Sequence, residues 1–260
     1  MKIFIYTDFE KKITTNTKNK LISISRKLGL TIVDNIIDCD IIISIGGDGT
    51  FLKSSHKSQE KPIIGINTGT LGYLTEINPE DIENALENIL EGKYYIEKRM
   101  MVEGEIIKPS GEIIEIPPAL NEIGISKNMT GVVRFDVFIN GKLINSYTAD
   151  GILVCTPTGS TAYNLSCGGP IVDPTAHILT LTPVAPHTVI NRSIVLADDS
   201  TVEIEITELR ENTSSYVLYD SFPLEVFNGD IVRIKKSDKI TKIIKIENTS
   251  FIDTIRETIS

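Results

Sequence analysis

The sequence has few cysteines, no tryptophan and no long apolar run. Its 260 residues include three cysteines, and only 6% of them are aromatic. Cys39, Cys155 and Cys167 show neither a Cys-x-x-Cys spacing nor a metal-binding pattern, so we expect reduced thiols and a cytoplasmic protein. No apolar run approaches the roughly 18–20 residues of a membrane-spanning helix. We therefore expect no membrane partner.

An excess of basic residues is also absent. Lysine and arginine together number 26 and aspartate and glutamate 35, which gives a formal net charge of −9. A nucleic-acid backbone requires a basic surface, so we expect no nucleic-acid partner. Small anionic ligands are compatible with this charge, because a few local N–H groups and cations can hold them.

One stretch combines a buried strand with a glycine-rich turn. Ile41–Ile45 is almost continuously apolar and β-branched, which predicts a strand buried on both faces of a sheet. Gly46-Gly47-Asp48-Gly49-Thr50 follows, and its glycines let a bulky anion approach main-chain N–H groups. The next residues, to His56, predict a helix whose N-terminus adds positive potential at the same place. A phosphate site is one hypothesis, and a strand end with an Asx-turn is the other.

Asp48 is unusual in such a turn because a carboxylate repels phosphate. Asp48 is better explained as a base for a hydroxyl group, or as a metal ligand, than as a residue that binds the anion. We assign no metal ligand from the sequence.

Strands and helices alternate from residue 2 to residue 90. The predicted strands are Lys2–Tyr6, Thr31–Val33, Ile41–Ile45 and Pro62–Ile66, and the predicted helices are Leu21–Leu28, Thr50–His56 and Ile82–Leu90. This alternation predicts a parallel, doubly wound α/β sheet. A second glycine loop, Asn67–Leu74, follows the last of these strands. Both glycine loops then lie at the carboxyl ends of strands, where such folds bind ligands.

The pattern changes near Tyr94 to short β-branched runs separated by turns. Lys108–Gly111 and Asn140-Gly141 predict hairpin turns. We predict an N-terminal α/β domain at residues 1–93, a β-sandwich domain at residues 94–244, and a C-terminal helical segment at residues 245–260 that returns to the first domain.

Three further stretches in the β portion carry polar groups that could bind a ligand. They are Asn121-Glu122, Asp150-Gly151 and the hydroxyl-rich run Thr156–Pro170. Hydroxyl and N–H groups in that run can bind sugar hydroxyls or the edge of a base, and the ring of Tyr163 can stack on a planar base. A capped helix start followed by a loop is the structural alternative for the last stretch.

Together these stretches resemble the ATP-dependent NAD kinases. The matching motifs, in order, are Gly46–Thr50, Gly65–Gly72, Asn121-Glu122, Asp150-Gly151, Thr156–Tyr163 and Thr182–His187. The resemblance extends over nearly the whole chain. The first motif also occurs in diacylglycerol and sphingosine kinases and, in similar form, in phosphofructokinases. The threonine-rich motif with Asn-Glu upstream is more specific to NAD kinases.

The resemblance implies transfer of the ATP γ-phosphoryl group to the 2′-hydroxyl of the adenosine ribose of NAD, with Mg²⁺ as the expected cofactor. Asp48 takes the role of general base, and Gly49 lies beside it in the dinucleotide site. The residues implied to line the NAD pocket are Asn121, Glu122, Asp150, Thr161, Ala162, Tyr163, Asn164, Leu165, Ser166 and, at its far end, Ala185. Assembly into a homo-oligomer, a dimer or a tetramer, is also implied.

One departure from the family pattern concerns the late Asp-Gly-Gln segment, which here is Asp220-Ser221-Phe222. A pocket contact through that glutamine is therefore not expected. A lipid kinase is an alternative, but it needs an acyl cavity and membrane attachment, and the sequence has no basic amphipathic helix or polybasic run. A non-catalytic NAD-binding module is the other alternative, and it has no use for the Asp48 carboxylate.

Overall fold

The structure is a computed structural model of the 260-residue chain. It describes residues 1–8, 12–69, 72–128, 131–187, 191–209, 215–246 and 251–259. The chain divides into two compact units, one formed by Met1–Arg99 with Ile240–Ser260 and the other by Met100–Lys239. Each unit has its own buried apolar core.

The strands follow in chain order as β1 (Lys2–Thr7), β2 (Thr31–Ile32), β3 (Ile41–Gly46), β4 (Ile63–Asn67), β5 (Tyr95–Ile107), β6 (Ile113–Ala119), β7 (Glu122–Lys127), β8 (Val133–Ile139), β9 (Lys142–Ala149), β10 (Gly151–Cys155), β11 (Ile178–Val184), β12 (Ile194–Ala197), β13 (Val202–Glu208), β14 (Ser215–Tyr219), β15 (Phe222–Val226) and β16 (Ile231–Lys245). The α-helices are α1 (Lys12–Lys27), α2 (Asp48–Lys57), α3 (Ile82–Leu90), α4 (Tyr163–Ser166) and α5 (Phe251–Ile259).

The first unit contains a parallel sheet in the order β2-β1-β3-β4, with the end of β16 beside β4. All residues of β3 and β4 are buried, as expected for strands covered on both faces. Apolar side chains of α1 and α3 pack against the sheet in one core cluster, for example Leu21 and Leu86 against Ile43. The predicted α/β architecture of this part of the chain is confirmed.

Two helices of the first unit begin earlier than predicted. Helix α1 starts at Lys12 rather than Leu21, because Thr14 and Thr17 are buried and continue the spacing of the apolar face. Threonine counts as polar in an apolar pattern, so the sequence pattern alone does not extend the helix back to Lys12. Helix α2 starts at Asp48 rather than Thr50, with Gly47 at its N-cap position.

The second unit is almost entirely β-structure. One antiparallel sheet has the order β12-β11-β10-β7-β14-β15. A second group of antiparallel strands contains β8, β9, β13 and the first part of β16, and β5 pairs with β6. A single core cluster takes side chains from both groups, such as Ile125 and Val154 from the first and Phe135 and Ile204 from the second. The predicted all-β part is therefore confirmed as two sheets that share one core.

Both predicted hairpin turns are present. The turn at Lys108–Gly111 joins β5 to β6, and the turn at Asn140-Gly141 joins β8 to β9 with both residues at positive φ. Within the described residues, none of the helices has the length and apolar character that crossing a membrane would require.

Candidate functional site

The first glycine loop is a tight connection between β3 and α2. A Cβ on Gly46 would lie 2.3 Å from Thr50 Oγ1, so the last strand position tolerates no side chain. Gly47 N-caps the helix, and its carbonyl oxygen accepts the N–H groups of Thr50 and Phe51. The N-terminus of α2 therefore lies directly at the strand end. An exposed N-terminus of this kind is suited to an anion.

The carboxylate of Asp48 connects this loop to the second glycine loop. Its Oδ2 accepts the main-chain N–H of Tyr73 at 2.8 Å, and its Oδ1 accepts the N–H of Leu74 at 3.1 Å and the hydroxyl of Thr75 at 3.3 Å. A Cβ on Gly72 would lie 2.2 Å from Oδ1, so this approach requires glycine. Residues 70 and 71 of the predicted motif lie outside the described residues.

These contacts leave Asp48 able to accept one further hydrogen bond. The two oxygens of a carboxylate offer about four lone-pair positions. Donors from the described residues occupy three of them. Asp48 is half-buried and the neighbouring Gly49 is exposed, so a hydroxyl group can reach the carboxylate from solvent. The geometry is compatible with proton acceptance by Asp48.

Asn121 and Glu122 lie where β6 leads into β7, and both are buried with 7% of their surface exposed. The hydroxyl of Thr156 donates to the carbonyl of Leu120 at 2.6 Å, and the N–H of Thr156 donates to the carbonyl of Asn121 at 2.8 Å. A Cβ on Gly159 would lie 2.1 Å from that same Asn121 carbonyl oxygen. The hydroxyl-rich loop thus packs directly on the Asn-Glu segment.

Glu122 carries a buried carboxyl group that is incompletely bonded. Among the described residues, its Oε2 is buried and has no hydrogen-bond partner. Burial, followed by the negative charge of Asp220, raises the pKa of Glu122 to about 8. At neutral pH this side chain is therefore mostly a neutral acid, which can donate a hydrogen bond as well as accept one.

Asn164 is part of the internal packing of the hydroxyl-rich loop. Its side chain is fully buried, and its amide donates to the carbonyls of Ser160 and Pro170, each at 3.1 Å. Its carbonyl oxygen accepts the hydroxyl of Thr182 at 2.6 Å. A Cβ on Gly169 would lie 2.0 Å from that oxygen. With all of these groups bonded internally, Asn164 can shape a pocket but presents no exposed surface to a ligand.

The other predicted residues of this loop are accessible. Tyr163 is 44% exposed and Ser166 is exposed, whereas Thr161, Ala162 and Leu165 are half-buried. Burial, followed by the Cys167 thiol to which it is hydrogen-bonded, raises the pKa of the Tyr163 hydroxyl. The hydroxyl of Tyr163 is thus hydrogen-bonded to Cys167, whereas much of the tyrosine ring is accessible to solvent.

Asp150 and Ala185 lie beside each other at one end of β10 and β11. The N–H of Asp150 donates to the carbonyl of Val184 at 3.0 Å, and its carboxylate pairs with Lys127 at 2.7 Å. Ala185 is exposed and has φ of +44°, a backbone conformation that costs a residue with a Cβ roughly 1–2 kcal/mol. The surrounding structure must hold the backbone of Ala185 in this strained conformation. Strain of this size is common at ligand sites.

The predicted site residues fall into both units. Asp48 and Gly49 belong to the first unit, and the remaining ten belong to the second. Sequence reasoning did not identify Gly72 and Thr75 as partners of Asp48, nor Thr156 as the residue that binds the main chain before Glu122. Gly72 and Thr156 lie within the motifs named in the sequence analysis. A glycine or a hydroxyl-bearing residue in such a motif is the sequence signal that could have identified these two residues.

The comparisons with known proteins agree on one family. Residues 7–94 match the family model of the ATP-NAD kinase N-terminal domain, and residues 120–246 match that of the ATP-NAD kinase C-terminal domain. The NAD kinase of Caldanaerobacter subterraneus subsp. tengcongensis is 40% identical over 222 residues, which are 84% of this chain and 77% of the relative. The NAD kinase of Flavobacterium psychrophilum is 40% identical over 220 residues, 84% of this chain and 74% of the relative.

Two solved structures share the fold. Yeast NADH kinase complexed with NADH superposes with a TM-score of 0.88 at 21% identity, covering 100% of this chain and 87% of that one. At this identity the likeness concerns the fold alone. The NAD kinase from Archaeoglobus fulgidus in complex with ATP superposes with a TM-score of 0.81 at 25% identity, covering 98% of this chain and 99% of that one.

The buried Glu122 should make the stability of the protein fall as the pH rises. Its pKa is about 8 in the folded chain and near the ordinary value of 4.5 in the unfolded chain, so between these values only the folded state holds the proton. Each pH unit in this window then costs ~1.4 kcal/mol of unfolding free energy, with no further change above the folded-state pKa. Glu122→Gln removes the titration, so this variant should gain stability relative to the wild type as the pH rises.

Denaturant unfolding at pH 5.5, 6.5, 7.5 and 8.5 measures this difference. Glu112→Gln, a substitution of an exposed glutamate in the same unit, is the matched control and should show no such trend. A constant difference between wild type and Glu122→Gln across these pH values would show that Glu122 does not titrate in this window.

Proposed function

The chain belongs to the ATP-NAD kinase family, and we propose from this premise that it transfers the γ-phosphoryl group of ATP to the 2′-hydroxyl of the adenosine ribose of NAD, forming NADP. The observation that carries the proposal is the Asp48 carboxylate, held at the N-terminus of α2 with one acceptor position left. A lipid kinase shares the first glycine motif, but family membership favours a dinucleotide substrate.

In the proposed reaction Asp48 accepts the proton of the attacking hydroxyl. The main-chain N–H groups of Tyr73 and Leu74 fix the direction of the carboxylate, so little reorientation is needed when the substrate arrives. As the bond between the ribose oxygen and phosphorus forms, the hydroxyl proton passes to the remaining lone pair of the carboxylate. Main-chain N–H groups at the start of α2 stabilise the phosphate charge.

The second unit supplies the residues that we propose for NAD. Asn121 and Glu122 offer buried hydrogen-bonding groups for sugar or base atoms, and Tyr163 offers an accessible ring face for stacking. Since Glu122 is mostly protonated at neutral pH, it can donate to an acceptor on the ligand. Asp150 and the strained Ala185 form the end of the proposed pocket.

Magnesium is the metal that we propose for the reaction. Within the described ranges of the chain, no three His, Cys, Asp or Glu side chains form a cluster that could hold a metal ion. Mg²⁺ usually keeps several water ligands and is held largely by substrate phosphates, so it needs no cage of protein side chains and leaves the last acceptor position of Asp48 to the substrate hydroxyl. The donor set therefore fits a magnesium ion that arrives with ATP and neutralises phosphate charge when bound.

We also propose that the protein forms a homo-oligomer, either a dimer or a tetramer, and acts in the cytoplasm. The edge strand β9 supports association, because Leu143 and Ile144 are 55% and 46% exposed on it. The three cysteines support a reducing compartment, because each is a free thiol. Sedimentation velocity of the purified protein measures the oligomeric state directly.

Formation of NADP from NAD and Mg-ATP tests the proposed reaction. Vesicles that contain diacylglycerol, offered in place of NAD, test the lipid-kinase alternative. Phosphorylation of the lipid without formation of NADP would overturn the assignment of the substrate, and NAD binding without turnover would favour a non-catalytic module.

Asp48→Asn should separate chemistry from binding. The amide keeps the size of the side chain but loses the basic oxygen, so kcat should fall by about 10²–10⁴-fold, the usual value of a positioned acid–base group. The NAD dissociation constant should stay within a few-fold of wild type. Glu122→Gln should do the opposite, weakening NAD binding while leaving measurable turnover.

The measurement is kcat from NADP formation together with an NAD dissociation constant from calorimetry for each variant. Asp34→Asn, an exposed position in the same unit, is the control for the chemical change. Near wild-type turnover of Asp48→Asn at saturating NAD would make Asp48 a structural residue of the loop.

Gly72→Ala should damage catalysis through the position of Asp48. The new Cβ would lie 2.2 Å from Asp48 Oδ1, and the positive-φ glycines do not include Gly72, so the clash and not the backbone conformation is the cause. A carboxylate displaced by about 1 Å can lower the rate about 10²-fold. Gly69→Ala is the control in the same loop, because its Cβ would meet only Asn67 Oδ1, at 3.9 Å. Equal kcat values for both variants would refute the role of Gly72.

Tyr163 should contribute to NAD binding through its ring. Loss of a ring that stacks on a base costs roughly 1–3 kcal/mol, so Tyr163→Ala should raise the KM for NAD. Tyr163→Phe keeps the ring and loses only the hydrogen bond to Cys167, so its effect should be small. Steady-state kinetics of both variants provide the test, and equal losses would assign the effect to the hydroxyl group.

A further inference from the structure

The turn between β14 and β15 brings Asp220 beside the Asn121-Glu122 segment. Strand β14 pairs with β7, so that Tyr219 lies opposite Ile123, and the N–H of Asp220 donates to the carbonyl of Glu122, the first residue of β7. Asp220 and Ser221 have φ of +46° and +75° and form a two-residue hairpin turn, which aspartate tolerates better than most residues. Asp220 is only 5% exposed.

The carboxylate of Asp220 accepts N–H groups from three consecutive residues. Its Oδ2 accepts from Leu120 at 2.7 Å, and its Oδ1 accepts from Asn121 at 2.7 Å and, at a longer distance of 3.4 Å, from Glu122. In return the N–H of Asp220 donates to the carbonyl of Glu122 at 3.1 Å. Three donors require a group that only accepts, and an ionised carboxylate meets this condition whereas an amide does not.

The opposite side of the segment is bonded as well. The hydroxyl and the N–H of Thr156 bind the carbonyls of Leu120 and Asn121. All six main-chain polar groups of residues 120–122 are therefore satisfied within the second unit. Within this segment the side chains of Asn121 and Glu122 are the polar groups left to bind a ligand, and the main chain that carries them is held by bonds on both sides.

We propose that Asp220 is the positioning residue of the dinucleotide site: its carboxylate fixes the main chain of residues 120–122 and thereby directs the Asn121 and Glu122 side chains toward NAD. The proposal rests on the proposed function for the identity of the ligand. Asp220 itself does not touch the substrate. Its negative charge has a second effect, because it favours the neutral form of the nearby Glu122 carboxyl group.

Asp220→Asn tests the proposal, because asparagine suits the left-handed turn but directs an amide NH2 at a main-chain donor. Misplacement of the two binding side chains should raise the KM and the dissociation constant for NAD about 10- to 100-fold. The value of kcat at saturating NAD should stay within a few-fold, because Asp48 is untouched. Asp220→Gly also fits the turn and should show the same pattern. Agreement between the two variants would show that the effect does not come from a folding defect of one of them.

Asp230→Asn is the matched control. Asp230 is also a buried aspartate of the second unit whose carboxylate accepts a main-chain N–H, from Phe227 at 2.8 Å, and it pairs with Lys108 at 2.7 Å. Its substitution should lower the melting temperature but leave the NAD dissociation constant unchanged. An equal rise in the NAD dissociation constant for Asp230→Asn and Asp220→Asn would attribute the effect to general destabilisation and overturn the proposal.

Two readouts are independent of enzyme activity. Amide hydrogen exchange of Leu120 or Asn121, whichever N–H faces the new amide NH2, should accelerate in Asp220→Asn and not in Asp230→Asn, because only the first substitution replaces one of their two acceptor oxygens. The pH midpoint of NAD affinity should move to lower pH in Asp220→Asn, since the negative charge of Asp220 is lost while the Cys155 and Cys167 thiols and the Tyr163 hydroxyl remain around Glu122. Unchanged exchange, or NAD affinity within twofold of wild type, would refute the positioning role. Absence of NADP formation by the wild type would refute only the proposed function.

Discussion

The hydrogen bonds that the Asp48 carboxylate accepts from the main-chain N–H groups of Tyr73 and Leu74 and from the hydroxyl of Thr75 are the interaction on which the rest of the first unit depends. They join the loop after β3 to the loop after β4, so the ends of two neighbouring parallel strands form one rigid corner. The close approach explains the glycines around it. Gly65 faces Thr75 and Phe51, and Gly72 faces Asp48 itself. The Asp48 carboxylate is thereby oriented by backbone donors that cannot rotate.

The second unit uses the same chemistry for a different purpose. The Asp220 carboxylate also accepts consecutive main-chain N–H groups, but it is buried, and its bonds hold residues 120–122 in place. Asp48 is half-buried and keeps an acceptor position. Carboxylates that bind backbone N–H groups make strong, charge-assisted hydrogen bonds with defined direction. The Asp48 carboxylate can therefore accept a further hydrogen bond, whereas the Asp220 carboxylate fixes the conformation of residues 120–122.

Local sequence patterns predicted much of the fold. The features that they missed depend on contacts between residues that are far apart in the chain. The apolar run Ile41–Ile45 and the glycine turn after it predicted a buried strand and a loop at its carboxyl end, and the motif order predicted the family. The start of α1 was wrong because buried threonines do not register in an apolar pattern. The burial of Asn164 and the contact of Asp220 with Leu120, 100 positions earlier in the chain, depend on tertiary pairing, which no local pattern contains.

Glu122 and Asp48 show how environment assigns opposite roles to two carboxyl groups. Asp48 is surrounded by donors and serves as an acceptor, whereas Glu122 is buried, has a raised pKa and can donate. Among the described residues Oε2 of Glu122 has no hydrogen-bond partner, and an unsatisfied buried polar atom of this kind costs about 1–3 kcal/mol. A molecule that brings a hydrogen-bonding group to this position would recover that free energy on binding, so the local cost of burying Glu122 favours such a ligand.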